Sequence, residues 1–559
     1  MYSVIAILAG LILYAAVYLG YTKWFDRRIV QSSPKRTTPA HTYMDGVEFF
    51  PTNKYVLFGF QWKAVAALGP ALGPIIAIQW GWLPGLLWLL VGNAFFGWLH
   101  DYIALTVSVR SEGASLGPLA YELIGKRSRI ILVSFLLFYF LLLLAVYGVT
   151  CASTLGGAAQ AAIPVLIAAV VSIAAGIATF KYKMNVVYTT IIALALIAAG
   201  IWVGSAYPFV LPAWMAKDPY LVTDFWFLWV LALCYLGSVL PAWLFVQPFI
   251  YLTFYPVYFC VVAMIMGAFV GQPNFAAPAI TTFFDPKLTP SGPLWPLMFV
   301  TIACGAISGM HGIIGASATS KQLDLETDAP FVGGGAMLAE GILAIVALVA
   351  IAVMSPAEIA GKAPGARWVI GGSKLMGFLG FSPAVGSTIA AVALVLLALA
   401  LVLVLRLTRL VLVEFAGKYG GYFKNIYFSS LLLCVIAYIL GSPRMGAVLA
   451  YTWPLWGGAN QLLAGIVLMI GTLWLMKQKK PSYFTSIPMV FMFGTTIVAL
   501  LWLSYLLFAN ALFPTVPVTG LYLAGNMISG AIGIVLVILS FVLLYDGAKA
   551  FQKLKGRAK

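Results

Sequence analysis

Lys63, His100, Asp101, His311 and Glu340 lie deep inside otherwise apolar stretches of this chain. Such groups are costly in hydrocarbon, and where they persist they face one another, a cavity or a transported ion. At 1.5 Å per residue, Lys63, Asp101, His311 and Glu340 each come out on the order of 13 Å from the same face of the membrane. One layer could therefore hold a Lys63–Asp101 ion pair, or a proton-exchanging pair, with a glutamate and one or two imidazoles beside it. A nearby carboxylate would keep the buried ammonium charged. Proton exchange is the chemistry these residue types offer. No GxxxxGK[ST] phosphate loop and no HExxH occurs, so neither a primary pump nor a zinc hydrolase is indicated. The five cysteines show no CxxC or metal spacing. No cofactor and no metal are expected, and His41, in a basic loop, reads as solvated.

Long apolar elements must carry these groups. The chain has 559 residues, 63% hydrophobic and 9% charged, with a mean hydropathy of +1.02. That is more apolar surface than one soluble core could hide, so the fold class is an all-α polytopic membrane protein. Stretches of about 20 apolar residues lie near 2–21, 55–79, 82–109, 130–152, 156–180, 185–206, 225–246, 249–271, 295–318, 332–354, 386–410, 427–441, 445–476, 486–512 and 520–545, about fifteen spans. The first lacks the basic leader and cleavage site of a secretory signal. The net charge of +16 would elsewhere suggest nucleic acid. Here the basic residues sit in short loops, which is a topology signal and implies no nucleic-acid partner. With sides alternating, 25 of the 32 Lys and Arg fall on one side and six on the other, leaving Lys63 within a span. The N-terminus is then expected outside and the C-terminus in the cytoplasm.

Two apolar stretches carry glycine and proline at their centres: Gly69-Pro70-Ala71-Leu72-Gly73-Pro74 and Gly237-Ser238-Val239-Leu240-Pro241. A helix interrupted inside lipid exposes backbone that hydrocarbon cannot satisfy, so such breaks survive where they line a cavity. The two stretches lie five spans apart and so run in opposite directions. That arrangement predicts a LeuT-like 5+5 inverted repeat with additional peripheral helices. The expected division is 1–54 (first helix and basic cytoplasmic loop), 55–206 and 207–415 (the two repeats), and 416–559 (C-terminal peripheral helices). A third candidate break is Pro454 to Asn460.

Several local words occur together in order. Pro51-Thr52-Asn53-Lys54, Phe58-Gly59, Gly69-Pro70, Gly73-Pro74, Leu83-Pro84-Gly85 and Gly113-Ala114-Ser115-Leu116-Gly117 are followed by Ile302 to His311, Thr319-Ser320-Lys321-Gln322-Leu323, Glu326-Thr327-Asp328-Ala329, Gly335-Ala336-Met337-Leu338 and Gly458 to Leu463. This series resembles the carbon starvation protein A family over most of residues 45–465. The resemblance implies a secondary transporter of the amino acid/polyamine/organocation superfamily, in a prokaryotic plasma membrane, taking up peptides or, in some members, pyruvate when nutrients are scarce. The chain departs from the family pattern in four places. It has Phe60-Gln61 for an expected His-His pair, Lys63 for a small residue, His100-Asp101 for Gln-Asp, and Val246-Gln247-Pro248-Phe249 for Pro-Arg-Asp-Tyr.

Substrate contact is expected at Gln61, Gly69, Pro70, Gly73, Pro74, Ser238, Pro241, Asn460 and Gln461. There the half-helix after Gly73-Pro74 would offer free N–H groups and a positive dipole end to a carboxylate. Ion coupling is expected at Lys63, His100, Asp101, Ser308, His311, Ser317, Thr319, Ser320 and Glu340. An ammonium at Lys63 could stand where LeuT-type folds hold sodium, so the coupling proton is preferred to sodium. A homodimer is compatible with the sequence. The rival classes are a haem-binding redox protein, for which only His100 and His311 are available within spans, and a passive channel.

Overall fold

The computed structural model describes every residue except 1, 47, 219, 418–419, 446–448, 515–518 and 559. Among the described residues the chain is helical, with no strand. Twelve helices among the described residues are long and apolar enough to cross a membrane. A thirteenth span is formed by Lys54–Val65 and Leu68–Trp80, which meet at 46°. Two of the fifteen expected stretches are not long continuous helices. The stretch 427–441 is the 16-residue helix Ile426–Gly441, and 295–318 is split into Leu294–Thr301 and Gly309–Ser317. Hydropathy sums side chains and does not register whether the backbone hydrogen bonds continue.

Loop contacts sort the helix ends into two sets. At one end Arg127 pairs with Asp546, Lys477 with Glu122 at 2.7 Å, and Arg406 donates to the Leu240 carbonyl at 2.6 Å. There Glu326, fully buried, takes Arg110 Nε at 2.5 Å, the Ser33 N–H at 2.9 Å and Arg36. His41 is not merely solvated, since its Nε2 lies 2.8 Å from Asp324. At the other end the Ser3 N–H reaches Pro273 at 2.9 Å, the Ala276 N–H reaches Ala352 at 2.8 Å, and Arg444 pairs with Asp218 at 2.5 Å. This is the grouping that the Lys/Arg distribution implies.

The helices are alike in composition and differ in how much they bury. Tyr451–Lys477 is 94% buried over its most apolar window, Pro383–Ala416 89% and Glu326–Ala352 83%, whereas Val186–Ala206 reaches 22%. The assignment of 416–559 to the periphery therefore fails for 451–477, which lies at the centre. Close approach explains the reversal. A Cβ on Gly457 would come within 2.0 Å of the Val300 carbonyl oxygen, so only a glycine lets this helix pack so tightly on 294–301. Helix Pro364–Gly377 was not foreseen, being short; it buries Trp368, whose Nε1 donates to Ala390 at 2.9 Å.

Candidate functional site

The first break lies at Ala66 and Ala67, whose backbones leave helical geometry (φ −72°, ψ 69° and φ −94°, ψ −149°). Gly69 to Pro74 sit inside the helix that follows, Leu68–Ala77. The expected position was thus three residues too far along. Pro70 falls in the first turn, where a missing N–H costs nothing. Gly73 serves packing instead of unwinding: a Cβ there would meet the Thr301 carbonyl oxygen at 2.8 Å.

The second expected break is overturned. Helix Leu221–Val239 runs through Gly237 and Ser238 and ends there, and Pro241 lies in the turn before Val246–Gly271. Ser238 Oγ bonds Ser430 Oγ at 2.8 Å, packing two helices together. Proline after a helix end is ordinary stop chemistry. The candidate break at 454–460 is also overturned, since Leu449–Lys477 is one helix with Pro454 inside it.

The actual second break is Ile302 to Ser308, between Leu294–Thr301 and Gly309–Ser317. Buried side chains take up the backbone groups it frees. Trp88 Nε1 donates to the Ile302 carbonyl at 3.3 Å and Trp453 Nε1 to Thr301 at 3.1 Å. Asn93 Nδ2 donates to Gly305 at 3.3 Å and to Met337 at 2.9 Å. Gln461 Nε2 donates to Phe299 at 2.8 Å. Asn460 Oδ1 accepts the Met310 N–H at 3.1 Å, and Asn460 Nδ2 donates to Ser308 Oγ at 3.0 Å. Asn460 and Gln461 therefore brace the break. Each group left unmet in an apolar interior would cost several kcal/mol.

Behind this break runs a buried chain of titratable groups. His100 Nδ1 lies 2.8 Å from Asp101 Oδ1, and Asp101 Oδ2 lies 2.9 Å from His311 Nδ1. His311 Nε2 then approaches Glu340 Oε2 at 3.1 Å. That last approach lacks hydrogen-bond alignment, so both Glu340 oxygens are without a hydrogen-bond partner among the described residues. All four residues are 0–2% exposed. Cys304 joins them, its Sγ, a His311 nitrogen and a Glu340 oxygen lying within 4.8 Å of one another. Three donors so placed could hold a metal ion.

Lys63 is not in this chain. Asp101 is satisfied by the two histidines, so the expected Lys63–Asp101 pair is corrected. Lys63, 3% exposed, has no ion-pair or hydrogen-bond partner among the described residues. It lines a narrow cavity of about 30 Å³ together with Ala67, Tyr139, Tyr147, Phe249, Cys304 and Trp456. Leu399, Ala400 and Leu403 form the wall from 383–416, so Lys63 faces that helix. The Gly69 N–H, in the first turn of Leu68–Ala77, points here and donates to the Tyr147 hydroxyl at 2.9 Å.

Both breaks lie within the part of the chain that matches a known family. The model described as "Carbon starvation protein CstA" matches residues 2–367 and 359–499. The chain belongs to the carbon starvation protein CstA family. It is 27% identical over 604 aligned positions to the peptide transporter CstA of Bacillus subtilis (strain 168), covering 99% of this chain and 98% of that one. It is 32% identical to the pyruvate/proton symporter BtsT and 30% identical to the peptide transporter CstA, both of Escherichia coli (strain K12). Each of these two alignments covers 63% of this chain, with 49% of BtsT and 50% of CstA, so about half of either protein is matched. This is a family of membrane transporters and not of enzymes. Among solved structures, MhsT in complex with L-phenylalanine aligns at TM-score 0.47 and 15% identity over 79% of this chain and 98% of that one. A manganese transporter of Eremococcus coleocola aligns at 0.46 and 12% over 89% and 96%.

The family words 302–311 and 458–463 are the two sides of the braced break. Of the remaining expected site residues, Gln61 Oε1 accepts from Thr319 Oγ1, holding the 54–65 half-helix to the segment after 309–317. Ser317 bonds back to the Ile313 carbonyl. Ser320 accepts from Ser108 at 2.8 Å. Ser308, Ser317, Thr319 and Ser320 do not surround Lys63. Tyr139, Tyr147, Cys304 and Trp456 were missed by sequence reasoning. The available signal was weak: Tyr139 and Tyr147 stand eight residues apart, on one face of Lys126–Gly157, in a run of leucines.

Proposed function

We propose that this chain is a secondary active carrier for peptides or small carboxylates such as pyruvate, driven by protons and working by alternating access about the breaks at 66–67 and 302–308. The supporting observation is a narrow cavity between two interrupted helices, with a titratable chain immediately behind it. About 30 Å³ holds little more than a water molecule, so a substrate enters only when the half-helices move. Discontinuous helices around a midplane pocket suit that motion. The prokaryotic plasma membrane, uptake under nutrient limitation, and the cytoplasmic placement of the 31–53 loop and the C-terminus belong to the same reading. So does an inverted repeat. The two breaks still run oppositely, although seven spans apart.

Coupling is assigned to His100, Asp101, His311 and Glu340. Two carboxylates bracket one imidazole away from water, and a proton on this chain offsets the charge that burial penalises. His311 passes it between Asp101 and Glu340, and Cys304 joins Glu340 to the cavity. We prefer this to a metal centre because the Cys304 thiol already meets Ser308 and Asn460, each at 3.5 Å. Uptake into proteoliposomes is the test. An imposed inward proton gradient should accumulate substrate above equilibrium, unaffected by a chelator. Simple equilibration in either gradient direction would make the protein a pore.

A further inference from the structure

Among the described residues, Lys63 is the only charged residue lining the cavity, and no Asp or Glu lines it. The remaining wall is apolar or aromatic, with Tyr139, Tyr147, Thr253 and Cys304 as its polar tips. A buried ammonium without a counter-charge is strongly disfavoured. Neither buried carboxylate nearby lies on the wall: Asp101 is held by two histidines, and Glu340 stands behind Cys304 beside His311. The N-terminal turn of Leu68–Ala77 adds a second positive feature at the same place, because Ala67 lines the cavity and the Gly69 N–H reaches Tyr147. Two independent features thus ask for one anion. No carboxylate on the wall itself would compensate a second, positive end, Glu340 standing behind Cys304.

We propose that Lys63 is the counter-ion of the transported molecule and selects small monocarboxylate anions with an apolar body over peptides. This rests on the carrier reading above and narrows it. A peptide would bring an ammonium as well as a carboxylate into the cavity, and its ammonium would be buried against apolar walls. A monocarboxylate brings one negative charge to one positive charge, and its methyl or alkyl end meets Phe249, Leu399 and Trp456. Lys63 and Phe249 both stand where the family resemblance implies other residues, so the preference is a property of this chain.

The experiment compares wild type, Lys63→Met and Lys63→Arg, each shown by gel filtration and thermal unfolding to be folded. Labelled pyruvate uptake by proteoliposomes is measured with unlabelled lactate, methyl pyruvate or dialanine as competitor. Stabilisation of the detergent-solubilised protein by pyruvate is measured in parallel. The inference expects competition by lactate, none by the uncharged ester or the dipeptide, and a KM raised roughly 10- to 100-fold in Lys63→Met, as loss of a charge-assisted hydrogen bond entails. Lys63→Arg should recover part of it. Competition by dialanine equal to that by lactate overturns the inference. So does an unchanged pyruvate KM in Lys63→Met, including the case where that variant acquires sodium dependence. Vesicles that accumulate nothing, with pyruvate still stabilising wild type but not Lys63→Met, would remove the carrier reading and leave the anion site standing.

Discussion

The Tyr147 hydroxyl accepts the Gly69 N–H at 2.9 Å, joining the 126–157 helix to the first turn of the half-helix beyond the break. An N–H freed by unwinding is thus covered by a side chain in the closed form and is available to a ligand once the half-helices separate. The same economy governs the 302–308 break, where Trp88, Asn93, Trp453, Asn460 and Gln461 each take a backbone group.

Replacing Tyr147 with Phe removes that acceptor and keeps the ring stacked near Trp453. The protein should lose about 0.5–1.5 kcal/mol, read as a lower melting temperature in detergent. A carboxylate substrate should narrow the gap by taking the vacant N–H. Identical melting curves with and without substrate would deny this bond a role.

Asn460→Leu strands the Met310 N–H and deprives Ser308 and Tyr139 of a partner. Each buried group left unmet costs about 1–3 kcal/mol. A large drop in thermal stability and loss of uptake are expected, whereas Ser430→Ala, in the remote Ser238 contact, should leave uptake unchanged. A stable, active Asn460→Leu would mean that the break does not depend on its brace.

Glu340→Gln removes the carboxylate at the cavity end of the titratable chain without changing its shape. Accumulation driven by a proton gradient should disappear, while exchange of labelled for unlabelled substrate continues, because exchange moves no net proton. Gradient-driven accumulation at the wild-type level would place coupling elsewhere.

Outside the membrane-spanning segments, Glu358 caps helix Pro356–Ile359. The Ser355 backbone N–H, and secondarily the Lys374 ammonium, hold its carboxyl down at about 2, against an ordinary 4.5. A carboxyl so depressed stabilises the fold fully above its unfolded value and loses that contribution as pH falls through the folded one. Glu358→Gln should therefore cost a constant amount from pH 7 to about 5, shrinking between 4.5 and 2. The side chain is 42% exposed, so solvent screening keeps the cost under about 1 kcal/mol. A difference growing with acidity would contradict this sign.

Apolar run lengths and the Lys/Arg distribution determined, by themselves, an all-helical membrane chain and the grouping of its loops. Both follow from how each residue partitions between water and lipid. The linear chain also singled out His100, Asp101, His311 and Glu340, since a charge in hydrocarbon is visible wherever it stands. Tertiary structure alone decided the partners. Depth along a helix is shared by every face, so Lys63 and Asp101 could lie in one layer and still point apart, Asp101 to His311 and Lys63 to a cavity. It also decided where helices break. Gly237 to Pro241 and Pro454 to Gly458 carry breaker residues, yet in one case the helix simply ends and in the other it continues. Ile302 to Ser308, without a proline, comes apart because Asn460, Gln461, Trp88 and Trp453 arrive from distant helices to satisfy it. Whether an unwound backbone can persist in lipid depends on neighbours that no local window contains.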